Sequence, residues 1–196
     1  MSSEIVDIFA DIVARVGNGL TVVTPCAMEP NTFKAVDNPV VSYVFGNARY
    51  FKDDLDDKSK AVETSQVKFP VVCLFSPIKE QRNRRDAVTG GIYTTAEVSL
   101  LIACSSMKEW SNEQRKVYSF ENILRPIYRR LMEELKRDRR LQWDYHGEIP
   151  HEYSENYSYG RYGAYIDGSN AVSEPIDAIN ITKLTVKVKI QNCIRK

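Results

Sequence analysis

The sequence predicts an α+β domain: a mostly antiparallel sheet with two helices packed on it, plus an irregular Tyr-rich arm. Three observations carry this. Residues 4–16 and 120–140 place apolar side chains at steps of three and four, the spacing of one helix face. Residues 69–78, 92–104 and 176–193 are compact, β-branched or alternating, as strands are. Six of the eleven tyrosines (Tyr145, Tyr153, Tyr157, Tyr159, Tyr162 and Tyr165) fall in 141–175 among Gly, Ser, Asn and Pro, without a regular period. A chain of 196 residues, 43% hydrophobic and 27% charged, suits a single domain spanning 1–196 with an ordinary core.

In "EIVDIFADIVARV" (4–16), Ile5, Ile8, Phe9, Ile12, Val13 and Val16 share one helix face, with Ser2 or Ser3 as cap and Gly17 and Gly19 as stop. "LTVVT" (20–24) and "VVSYVFG" (40–46) read as strands separated by a loop that Pro25, Pro30 and Pro39 punctuate. Residues 52–66, polar and of mixed charge, read as an exposed polar loop whose Asp53, Asp54, Asp56 and Asp57 form a solvated face. A calcium loop would need a Gly and a closing Glu that this stretch lacks.

"FPVVCLFSPI" (69–78) reads as a buried strand, "KEQRNRRDAVTGG" (79–91) as a basic hairpin connection, and "IYTTAEVSLLIAC" (92–104) as a long strand with Val98, Leu100 and Ile102 on one face. In 120–140, Phe120, Leu124, Ile127, Leu131 and Leu135 form a stripe, with Ser119 as candidate cap. Pro126 inside that stripe costs ~3 kcal/mol in a regular helix. It predicts two helical pieces meeting at a bend, the first over 111–120. The arm 141–175 follows, and then a closing strand, 176–193, with Leu184, Val186, Val188 and Ile190 alternating with Thr185, Lys187 and Lys189. Its outward lysines read as a guard against edge pairing. Ile181 is out of step with Leu184, which predicts a bulge near Thr182–Lys183.

The motifs of nucleotide loops, hydrolase elbows and zinc helices are absent. His146 and His151, beside Glu148 and Glu152, lack the helical spacing and the third nitrogen or sulfur ligand that zinc needs, so they read as incidental loop residues. The expectation is no catalytic residue, no cofactor and no metal. Cys26, Cys73, Cys104 and Cys193 read as separate free thiols, without a disulfide framework. No apolar run reaches the ~18 residues of a membrane span, and "MSSEIVDIF" lacks the pattern of a secretory signal, so no membrane partner is expected.

Charge is unevenly laid out although the formal net charge is only +1. Between 141 and 175, Asp144, Glu148, Glu152, Glu155, Asp167 and Glu174 face Arg161 alone. Between 125 and 140, Arg125, Arg129, Arg130, Lys136, Arg137, Arg139 and Arg140 outnumber Glu133, Glu134 and Asp138. Phosphate would be repelled by the arm, while tyrosines with Ser, Gly and Asn suit protein contacts. An acidic arm docking on a neighbour's basic helix would be a heterologous contact that closes into a ring. An arm folded on its own helix explains the same charges.

The stretches "FPVVCLFSPIKE" (69–80), "FENILRPIYRRLMEEL" (120–135) and "EPIDAINITKLTVKVKIQNC" (174–193), in that order after an amphipathic N-terminal helix, resemble the neck and tail-completion proteins of tailed bacteriophages, of tail-terminator or head–tail-connector type. The resemblance covers about half of the chain. It implies a structural virion subunit of the tail or neck, assembled in the host cytoplasm as a homo-oligomeric ring, hexameric or alternatively dodecameric. It also implies contacts with other neck, tail or portal proteins and with DNA passing through the lumen. The candidate subunit interface is Arg129, Arg130, Lys136, Arg137, Arg139, Arg140, Tyr153, Tyr157, Tyr159 and Tyr162, and the candidate lumen- or DNA-facing residues are Arg82, Arg84 and Arg85. The alternative is a nucleic-acid-binding accessory protein using the basic patch. A third reading, a metal enzyme built on His146, Glu148 and His151, is weaker.

Overall fold

The computed structural model describes residues 4–25, 32–60, 68–85, 91–143, 148–159 and 175–189. It is α+β, built on a seven-stranded sheet. Two long strands, β6 (Ile92–Ser105) and β9 (Ile176–Lys189), pair antiparallel along their length and form its axis. On the far side of β6 lie β4 (Val71–Phe75), against its C-terminal half, and β5 (Lys79–Arg85), against its N-terminal half. On the far side of β9 lie β8 (Glu152–Tyr159) and the short β7 (Leu141–Gln142). β3 (Ser42–Gly46) joins β4 in the one parallel pairing among the described residues, and β1 (Thr21–Pro25) with β2 (Phe33–Asp37) makes a separate antiparallel pair.

The bulge falls where the apolar phase breaks. Val98 pairs with Leu184 but Leu100 with Ile181, so β9 spends one more residue than β6 there. Lys183 takes a left-handed φ of 54° at that point. The extra residue keeps Ile179 and Ile181 on the same face as Leu184, Val186 and Val188, all buried.

That face carries α1 (Ile5–Val16) and a composite helix. The apolar stripe of α1 is buried throughout. Its cap is Glu4, without a side-chain bond, and Gly17 ends it. A side chain at Gly17 would run into the carbonyl of Pro39, so only glycine fits this close approach. The composite helix runs as α3 (Asn112–Arg115), a π segment (Lys116–Leu124) and α4 (Arg125–Arg137). The two expected pieces are present, but a π turn joins them. The amide of Arg125 bonds back five residues to Phe120, and Pro126 follows at once. The wider turn moves the carbonyl that the proline ring would strike and puts the missing donor where the ladder already changes register. Phe120, Leu124, Ile127, Leu131 and Leu135 are all fully buried. At ~1.5–3 kcal/mol each, they outweigh the cost of the proline. The cap is Ser111, in a capping box with Gln114, and not Ser119, which lies buried inside the helix.

Three expectations are corrected. The polar loop 52–66 begins inside a third helix, α2 (Ala48–Lys58), capped by Asn47. Its apolar side is just Phe51 and Leu55, one turn apart and buried. Arg49–Asp53, Lys52–Asp56 and Asp54–Lys58 line its outer side at i,i+4. The basic connection 79–91 holds strand β5, which bulges at Asn83, where φ is 58°. The arm 141–175 is not irregular where it is described: β7, with Leu141 buried, and β8 belong to the sheet, and along β8 tyrosine rings supply the apolar side that an aliphatic pattern would have shown. The β2 strand, inside the expected proline loop, was also not legible from composition.

Candidate functional site

The tyrosine strand and the composite helix meet within the chain. Along β8, Tyr153, Glu155 and Tyr157 point to the helix side. Glu155 receives two hydrogen bonds from Arg125, Nε to Oε1 at 2.7 Å and Nη2 to Oε2 at 3.0 Å. Tyr153 donates to Glu155 at 2.6 Å. Ring centroids lie 4.9 Å apart for Tyr128–Tyr153 and 4.7 Å for Phe120–Tyr157. The hydrogen bonds from Arg125 hold the Glu155 carboxyl below its ordinary range, while burial, then Glu155, pushes the Tyr153 phenol up. Tyr153 and Tyr157 nevertheless remain exposed by 40% and 38%, so each ring has one face on the helix and one toward solvent. In Tyr159 the backbone pairs with Ile176, and Tyr162 lies outside the described residues.

The basic end of the helix is neutralised locally. Arg140 donates to Asp138 through Nε at 2.9 Å and Nη2 at 2.7 Å, and to Asp11 through Nη1 at 2.6 Å. Arg15, from α1, spans Glu134 at 3.2 Å and Asp138 at 2.9 Å. Arg130 and Arg137 reach Glu134 at 3.3 Å and 3.2 Å, and Arg130 also donates to the carbonyl of Asn18. Burial raises the Asp138 carboxyl, but bonds from Arg140 and Arg15 outweigh it and bring it down to about 2. Arg129, Lys136 and Arg139 stay exposed and form no ion pair with a described residue.

Among the candidate DNA-facing residues, Arg82 bonds Glu80 at 2.6 Å and lies 3.5 Å from Glu4, on the helix side of the sheet. Arg85 pairs with Ile92 and shares that side, whereas Arg84, opposite Tyr93, points to the reverse side. All three are exposed.

A buried polar centre escaped the sequence reading. Asp177 is wholly buried; Arg115 donates to its Oδ1 at 2.8 Å and Ser119 to its Oδ2 at 2.7 Å. Arg115 also donates to the carbonyls of Met107 at 2.7 Å and Trp110 at 3.3 Å. The nearby Cys104 thiol is pushed well above its ordinary value by burial and by Asp177. Cys73 rises to about 12, also chiefly through burial. Both are free and buried, which makes them poor nucleophiles; Cys26 and Cys193 lie outside the described residues. The centre is saturated and shielded, and reads as a clamp of helix to sheet.

His151 sits between the Tyr128 hydroxyl, 2.8 Å from Nε2, and the Ile149 carbonyl, 2.7 Å from Nδ1. A proton on Nδ1 serves both bonds, leaving Nε2 to accept from Tyr128. Glu148 is exposed and His146 lies outside the described residues. Among the described residues, no group of three His, Cys, Asp or Glu is placed to hold a metal ion, and no helix is long and apolar enough to cross a membrane.

What remains open is the sheet's margin. Among the described residues, neither β3 nor β8 has a strand partner on its outer side. Exposed Phe45, and Tyr50 laid against Gly46, flank β3; the solvent faces of Tyr153 and Tyr157 flank β8. The chain matches no family model and no curated protein.

Proposed function

We propose that this chain is a structural virion protein of a tailed phage, a ring-forming subunit of the head–tail neck or tail end. The resemblance of its helix and strands to that class supports the reading, and one observation carries it: among the described residues, β3 and β8 are unlike sheet edges at opposite ends, each without an outer strand partner and each with exposed aromatics. Backbone donors and acceptors on an open edge invite pairing. Two different edges cannot satisfy each other across a two-fold axis, but they can head to tail, and such contacts close into rings. Strand directions agree. β3 and β8 run oppositely through the order β3-β4-β6-β9-β8, so β8 of one copy would lie antiparallel to β3 of the next. The Arg125–Glu155 contact between arm and helix is made inside the subunit, so that pair serves the fold while the edges serve assembly.

The test is the solution mass of the purified protein, alone and with portal or tail-tube components. A closed multimer of one defined mass is expected. Phe45→Lys and Tyr153→Lys each block one edge and should each give monomers. Mixed together they should give a dimer and no ring, since one good edge remains on each. A wild-type chain that stays monomeric under every condition overturns the reading.

A further inference from the structure

Asn18–Gly19 is the one Asn–Gly dipeptide in the chain, and it occupies the turn between α1 and β1. Such a pair can react with itself. The Gly19 nitrogen, once deprotonated, attacks Cγ of Asn18, with no Cβ on the glycine to block the approach. Both residues are exposed, and the Asn18 carboxamide makes no hydrogen bond with a described residue. Gly19 stands at a φ of 70°, with nothing within 4 Å of where a Cβ would lie. Neither burial nor crowding therefore guards the pair. Two polar contacts reach it instead. The Gly19 amide donates to Oδ1 of Asn38 at 2.7 Å, and Nη2 of Arg130, on α4, donates to the Asn18 carbonyl at 3.0 Å. Asn38 is fixed in turn by its own amide, which donates to the Leu20 carbonyl at 2.8 Å.

These two contacts act on the reaction in opposite directions. The nucleophile is the amide anion. Forming it at Gly19 gives up the hydrogen bond to Asn38 and leaves the anion facing the lone pairs of Oδ1. The charge of that anion is shared with the Asn18 carbonyl oxygen, because nitrogen and oxygen belong to one conjugated peptide unit. The Arg130 guanidinium stands at that oxygen, where a charge-assisted bond stabilises the anion. Asn38 thus restrains the loss of the proton, and Arg130 favours it.

We propose that Asn18–Gly19 is a self-modification site, held back by Asn38, at which Asn18 converts to aspartate and isoaspartate. Hydroxide from solvent takes the Gly19 amide proton. The nitrogen bonds to Cγ of Asn18, and Nδ2 leaves as ammonia with a proton from water. A second water opens the cyclic imide. Opening at Cγ gives aspartate; opening at the main-chain carbonyl gives isoaspartate, in which the chain runs through Cγ. Water is the sole co-reactant, and nothing is oxidised or reduced. Isoaspartate lengthens the main chain at the turn and draws Gly19 away from Asn38, so the link between α1 and β1 loosens. The reaction is confined to one subunit and does not depend on ring formation.

The experiment incubates the full chain at mildly alkaline pH and follows the peptide carrying residue 18 by digestion and mass spectrometry. Wild type unfolded in urea should react faster than the folded chain. Folded Asn38→Ala should react about fivefold faster than folded wild type, the worth of one net hydrogen bond. Asn38→Asp keeps an acceptor in place and should stay slow, which separates the hydrogen bond from a general loosening of the turn. Arg130→Met should react about fivefold more slowly, since the anion loses its charged donor. If Arg130 merely held the turn, its loss would speed the reaction. The proposal is overturned if folded and unfolded wild type react equally fast, or if Asn38→Ala is no faster than wild type. It is also overturned if Asn38→Asp is as fast as Asn38→Ala, or if Arg130→Met speeds the reaction.

Discussion

The composite helix carries arginine–carboxylate pairs at both ends, and the two ends handle charge in opposite ways. At the N-terminal end, the Arg115 and Asp177 side chains are exposed by 6% and 0%. The contacts described there join one guanidinium, one carboxylate, one hydroxyl and two carbonyls. At the C-terminal end, Arg15 and Arg137 are exposed by 40% and 61%, and the carboxylates are shared, Glu134 among Arg15, Arg130 and Arg137, and Asp138 between Arg15 and Arg140. A dry pair has no substitute for a lost partner. A wet cluster has water and neighbouring arginines. Similar distances therefore carry different energies, and burial decides the difference.

The largest effect should come from the dry end. Asp177→Ala leaves the Arg115 guanidinium buried without its counter-charge and removes the acceptor of Ser119. The expected loss is ~3–5 kcal/mol, read from urea unfolding. Arg115→Met/Asp177→Leu removes both charges and should cost far less than the single change. If the single and double variants lose equally, the pair is not isolated from solvent and the contrast between the two ends disappears.

How much of this was legible in the sequence depends on where the information sits. α1, β6, β9 and the bulge at Lys183 follow from local apolar phase, which the chain carries in its own residues. So does the stripe from Phe120 to Leu135, although the π turn does not, because the helix wheel tolerates one extra residue without changing which side chains are apolar. α2 was lost because its buried side is only Phe51 and Leu55 amid charges. β5 and β8 owe their extension to partners, β6 and β9, that a local reading does not supply. Asp177 did leave a trace: it stands in phase with Ile179 and Ile181, where a core residue belongs. Its partner Arg115, 62 residues away, could not be found by spacing.

A smaller effect should mark the wet end at low pH. The ordinary Asp138 carboxyl titrates near 3.8 and the folded one near about 2. A lowered carboxyl stabilises the fold fully above about pH 4 and loses that contribution as the pH falls through about 2. Asp138→Asn should cost about 1–2 kcal/mol at neutral pH, less than the shift alone implies, because the partly exposed arginines are screened. It should also flatten the unfolding midpoint between pH 4 and about 2 relative to wild type. A midpoint in the variant that still falls as steeply would assign the acid sensitivity elsewhere, with Glu155, also lowered by its arginine, the next group to test.

The smallest effect should be at Arg137. Its guanidinium meets Glu134 at 3.2 Å, but 61% of the side chain is exposed and Arg15 and Arg130 still serve that carboxylate. Arg137→Ala is expected to shift stability by less than ~0.5 kcal/mol, measured beside Asp138→Asn in the same urea series. This sets which charges can be reversed to probe assembly. Arg137 and Arg139 are exposed enough for Arg137→Glu/Arg139→Glu to leave the fold intact, so a change in solution mass would speak of contacts between copies. Arg140 is different: 15% exposed and bonded to both Asp138 and Asp11, it holds α1 to the end of the helix, and its reversal would unsettle the subunit before any neighbour was involved. Should Arg137→Ala cost as much as Asp138→Asn, the outer arginines are as tightly coupled as the inner ones, and exposure is not what separates the two ends of this helix.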